Sequence, residues 1–71
     1  MTGATLERAR AGKRKLAKTL TFLPELRGIG IAILPDGYGV KVNFSRKPSC
    51  KIPAEIDGVP IVVDIIGDIQ P

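Results

Sequence analysis

Cys50 is the chain's one thiol, and it lies among Arg46, Lys47 and Lys51. Nearby cations lower a thiol pKa and favour the nucleophilic thiolate. A working nucleophile also needs a base, and this chain has no histidine to serve as one and no second cysteine to resolve an oxidised form. Ser45 and Ser49, near Lys47 or Lys51, have the composition of a Ser–Lys dyad, but nothing in the sequence identifies an oxyanion hole beside them. Asp57, Asp64 and Asp68 are too dispersed for a calcium loop. Gly28-Ile29-Gly30 offers two glycines of a dinucleotide-binding turn, yet Ile33 stands where the third is required and the segment is strand-like. No catalytic residue, metal ligand or cofactor-binding residue is expected, and no cofactor.

One further set of side chains is spaced for binding. Arg10, Arg14 and Lys18 follow one another at intervals of four, flanked by Arg8 and Lys15. On a helix they form a single basic ridge able to track a phosphate backbone or another acidic surface. Base-stacking aromatics are scarce: Phe22, Tyr38 and Phe44 are all the chain has, and Phe44 is wanted in a core. That disfavours specific recognition of single strands. A solvated ridge that keeps a small protein soluble is the simpler use of the same residues.

The elements that must position these residues belong to a small protein. Seventy-one residues make one domain, 1–71, near the lower limit for a self-sufficient core. Hydrophobic residues at 44% and charged residues at 25% are a globular balance rather than a disordered one. A single cysteine excludes an intrachain disulfide, and the lack of histidine excludes a Cys/His zinc site and His-based catalysis. The apolar runs Ile29 to Leu34 and Val59 to Val63 are too short to cross a bilayer, and Leu6 and Ala9 are interrupted by charges where a signal peptide would be uniform. A soluble cytoplasmic protein is expected, with no membrane role and no small-molecule substrate.

The net charge of +4 is unevenly placed. Basic residues dominate up to Arg27 and again at Arg46, Lys47 and Lys51, whereas Glu55, Asp57, Asp64 and Asp68 stand in a final stretch without a basic residue. The two ends can attract each other within a chain or between molecules.

Residues Thr5 to about Thr21 are predicted to be a helix, because Leu6, Ala9, Leu16, Ala17 and Leu20 share one arc at 100° per residue. Thr2 or Thr5 can cap it, and Gly12 costs it about 1 kcal/mol relative to Ala. Gly28 to Leu34 and Val40 to Phe44 alternate as strands, joined by the turn-rich Pro35-Asp36-Gly37-Tyr38-Gly39 into an antiparallel hairpin. Pro53 argues against a central strand at 51–56, and Asp57-Gly58 is a second turn. Ile61 to Ile66 is the third firm strand. The expectation is α+β: one N-terminal helix, 5–21, on a small mostly antiparallel sheet of about three strands within 28–66. Ile29/Ile31/Ile33, Val40/Val42/Phe44 and Ile61/Val63/Ile65 supply the covered face. Leu34, Val62 and Ile66 are left over on the other, which makes them the candidate interaction surface.

Three segments carry a resemblance: Gly28-Ile29-Gly30-Ile31-Ala32, Tyr38-Gly39-Val40-Lys41-Val42-Asn43, and Ile52-Pro53-Ala54-Glu55-Ile56-Asp57-Gly58-Val59-Pro60-Ile61-Val62-Val63, with Gly67 after them. Together they resemble a region of small uncharacterised bacterial proteins with the pattern Gly-Val-Gly-Val, an extended segment, then Leu-Pro-x-x-Ile-Asp-Gly-Val-Pro-Val. In some of those proteins the region precedes a trypsin-like peptidase domain, which this sequence lacks, so no catalytic residue carries over. The resemblance implies an accessory domain that docks or regulates, with Pro53 and Pro60 at strand ends. The function expected is a non-enzymatic interaction module that binds a protein partner or another copy of itself. Nucleic-acid binding through Arg10, Arg14 and Lys18 is the alternative.

Overall fold

Thr5 starts the helix as the capping chemistry requires. Its backbone is extended and its hydroxyl oxygen accepts the Arg8 N–H at 3.3 Å. Helix α1 then runs Leu6–Leu20 and buries Ala9, Gly12, Leu16 and Leu20. Past Thr21, the Leu23 and Leu26 amides donate to the Leu20 and Leu23 carbonyls, turning the chain through Pro24 into the sheet. The computed structural model describes residues 3–67. Thr2 and Asp68 lie outside the described residues.

The sheet has four strands: β1 Leu26–Leu34, β2 Gly37–Phe44, β3 Glu55–Ile56 and β4 Val59–Ile65. Their spatial order is β1-β2-β4-β3. β1 and β2 are the predicted antiparallel hairpin, while β4 returns parallel to β2 and antiparallel to β3. The protein is therefore a helix packed on a mixed four-stranded sheet, one strand more than expected. The extra strand is the two-residue β3, which sits at the edge, where Pro53 just before it interrupts no ladder.

Two turns are tight, and the first is tighter than its sequence suggests. Leu34 pairs with Gly37, so the loop is Pro35-Asp36 alone, and Tyr38 and Gly39 belong to β2. The Tyr38 amide and carbonyl are taken on the far side by Ala4, each bond 2.8 Å. This extends the sheet over what a turn would have left bare. At Asp57-Gly58 both residues have positive φ, 50° and 80°, which fits the two-residue hairpin between β3 and β4. Pro60 lies inside β4 rather than at its end. The pairing with β2 begins only at Ile61, opposite Val40, so the missing proline N–H costs no hydrogen bond there.

Val40, Val42 and Phe44 are completely buried beneath Ala9, Leu16 and Leu20, with Leu23 and Val59 closing the core. Gly12 earns its place by contact. A Cβ there would lie 3.2 Å from the Ile56 Cγ2 and 3.6 Å from both Val40 Cγ2 and Val59 Cβ. Its cost in helix propensity is offset by the close seating of α1 on the β2 and β3–β4 end of the sheet.

Candidate interaction surface

The five cations singled out on α1 are divided by the fold into two sets. Arg8 donates from Nη2 to the Asp57 carbonyl at 3.0 Å, and Lys15 Nζ meets Asp57 Oδ2 at 2.9 Å. Both hold the β3–β4 turn against the helix. Arg10, Arg14 and Lys18 are exposed, and among the described residues none of the three has a hydrogen-bond or ion-pair partner. Arg8 and Lys15 are thereby set apart from the other three.

The apolar residues predicted on the uncovered face do not form one patch. Val62 lies beside Lys41 and Ile66 follows the Phe44–Ile65 pair, whereas Leu34 lies opposite Gly37. From Gly37 to Lys41 is four residues of strand, about 13 Å, and Ile66 is further still. Leu34 is half-buried and Ala32 between the two sheet ends is buried. Leu34 thus separates from Val62 and Ile66.

What takes its place comes from the other face. Val63 and Ile65 pair with Val42 and Phe44, so they point to the helix side as their alternation predicts. The helix does not reach them: Val63 is 42% exposed and Ile65 49%. Val62 and Ile66, on the open side, are 37% and 55% exposed. Four apolar positions, two on each side of Asp64 in sequence, therefore stand in solvent on both faces at the end of β4. Ile33 is also exposed, beyond the helix at the hairpin tip.

The strand's outer edge is open as well. β3 pairs with β4 only at Val59 and Pro60, and the Ile61 N–H donates to the Ala54 carbonyl at 2.9 Å. Among the described residues no strand covers that edge beyond Ile61. Lys41 Nζ lies 3.5 Å from Asp64 Oδ2 across the β2–β4 pair, so the strip's single charge already has a partner.

The loop after β2 is organised by a residue that sequence reasoning passed over. Glu25 is buried, its carbonyl accepts the Ser45 N–H at 2.8 Å, and its carboxylate accepts the Ser49 N–H. Backbone N–H donors, its own first and then that of Ser49, hold the Glu25 carboxyl below the usual carboxylate range. Its Oε1 and the Ser45 hydroxyl are buried without a hydrogen-bond partner. A glutamate directly after a proline gave no sign of burial. The loop places Cys50 in solvent, with Arg46, Lys47 and Lys51 also exposed.

Compared with known protein families, curated proteins and solved structures, the chain gives no match. Among the described residues no helix is long and apolar enough to cross a membrane.

Proposed function

We propose that the protein is a non-enzymatic interaction module of the cytoplasm, and that β4 is its docking strand. One observation carries this reading: Val62, Val63, Ile65 and Ile66 are all exposed, on both faces at the end of β4, whose outer edge among the described residues is unpaired beyond Ile61. Soluble proteins ordinarily blunt a free edge with lysine, proline, a bulge or a covering loop. Between Val62 and Ile66 the one charge that could serve this way is Asp64, and Lys41 engages it. An open edge offers main-chain hydrogen bonds to a partner strand, and the flanking side chains give that pairing an apolar grip on each face. The resemblance of residues 27–67 to the accessory region of bacterial proteins agrees with a docking role.

The test is substitution on the open side of the strip. Val62→Asp or Ile66→Asp should abolish association while the circular dichroism spectrum stays that of the folded monomer, because neither side chain is in the core. If both variants keep the wild-type solution mass and capture the same partners, β4 is not the docking strand.

A second reading rests on the unpartnered cations Arg10, Arg14 and Lys18, which would bind nucleic acid through phosphates. It requires affinity that falls with log salt at a slope of about −0.9 per duplex phosphate contact. Replacing all three with Glu should then eliminate binding, and retention of binding would sink this alternative.

A further inference from the structure

We propose that the docking partner of β4 is the β4 of a second copy, paired antiparallel about a two-fold axis at Asp64. The inference rests on the reading of β4 as the docking strand and specifies its occupant. Its starting point is the order of side chains: Val62-Val63-Asp64-Ile65-Ile66 is a chemical palindrome. An isologous two-fold contact needs a surface complementary to itself, and antiparallel pairing centred on Asp64 sets Val62 opposite the partner's Ile66 and Val63 opposite the partner's Ile65. Apolar meets apolar on both faces.

The backbone has the matching polarity. Ile66 donates its N–H inward to the Phe44 carbonyl, and Ile61 donates outward to Ala54. Strand alternation then aims the N–H and C=O of Val63 and Ile65 outward. These are the groups that a two-fold pairing at Asp64 joins, Val63 with the partner's Ile65 and Ile65 with the partner's Val63. An axis at Val63 would instead bring the partner's Ile65 against Ile61, whose N–H is already used. An axis at Ile65 would require Gly67 to pair with Val63, and its φ of +69° takes the chain out of strand geometry there.

The central pair of aspartates is the one repulsive element, since like charges directly opposed destabilise a sheet. Lys41 reaches Asp64 diagonally from β2, Nζ to Oδ2 at 3.5 Å, so each aspartate brings its own cation to the contact. The opposite sheet edge is less suited: β1 has a register irregularity between Leu26 and Gly28 and carries exposed Arg27. Four half-exposed side chains per copy place the contact at or below the low end of the ~1,200–2,000 Å² typical of stable interfaces. The dimer is therefore concentration-dependent.

Sedimentation equilibrium on the full chain tests association, with Ile65→Pro as the edge variant. Its proline removes only an outward N–H, so the pairing with β2 survives, and dimer affinity should fall at least about tenfold. Register is read by cysteine crosslinking in a Cys50→Ser background. Asp64→Cys places the two Cα atoms about 4.5 Å apart, within disulfide range, whereas Val62→Cys leaves them more than about 13 Å apart. Crosslinking under mild oxidation by Asp64→Cys and not Val62→Cys is the expected result. The reverse pattern, or a dimer indifferent to Ile65→Pro, overturns the pairing. A strict monomer up to roughly 1 mM overturns self-association. In that case docking of β4 on a different protein still stands or falls by the Val62→Asp and Ile66→Asp captures.

Discussion

Gly12 decides where the helix sits, and with it which part of β4 is left uncovered. Replacing it with alanine sets two effects of known sign against each other. Alanine favours the helix interior over glycine by about 0.8–1 kcal/mol. The new methyl would lie 3.2 Å from the Ile56 Cγ2, a few tenths of an ångström too close, and at ordinary contact distance from Val40 and Val59. Ile56 is only half-buried and belongs to a two-residue edge strand, so it can give way. Gly12→Ala should therefore change stability by between zero and about +1 kcal/mol, measured by urea unfolding followed at 222 nm. In an Ile56→Ala background the crowding is removed, and the same substitution should gain close to the full ~1 kcal/mol. Gly12→Leu adds volume that the buried Val40 and Val59 cannot accommodate and should cost about 1–3 kcal/mol. The reasoning fails if Gly12→Leu is tolerated. It also fails if Gly12→Ala destabilises equally with and without the Ile56 side chain.

Asp57→Asn should lose only the exposed contact with Lys15, about 0–1 kcal/mol by thermal unfolding, while Asp57→Val should cost more because φ is +50° there. The depressed pKa of Glu25 means that its contribution to stability is present above the ordinary carboxylate value of 4.5 and is lost as pH falls through the lower folded value. Unfolding midpoints of Glu25→Gln should accordingly lie below wild type at neutral pH and depend less on pH in the acid range; an unchanged acid dependence would contradict the assignment. Replacing Arg10, Arg14 and Lys18 with Glu should leave self-association unchanged in light scattering, because these side chains lie on the helix rather than on β4.

The covered and uncovered sides of each strand are legible in alternation alone: Ile61, Val63 and Ile65 do face the helix side, and Val62 and Ile66 do face away. How far the helix extends over that side is not a local property. It follows from the Gly12 contact and from the hold of Arg8 and Lys15 on Asp57, which join residues more than forty apart in sequence. The expectation of one apolar open face consequently missed Val63 and Ile65 and wrongly joined Leu34 to the group. The strand order was hidden for a similar reason. Periodicity marks β4 as a strand, but its parallel place beside β2 depends on a long connection that no local pattern encodes. Asp57-Gly58, by contrast, was readable because positive φ at both turn positions is local chemistry.

The claim that β4 docks on the β4 of a second copy is tested most directly by following backbone amide resonances through a dilution series of isotope-labelled protein. The account predicts that concentration-dependent shifts concentrate on Val62 through Ile66, with Val63 and Ile65 moving most because their N–H groups face the open edge. Shifts confined to the ridge of Arg10, Arg14 and Lys18, or to the Ile33 tip with β4 unmoved, would contradict it.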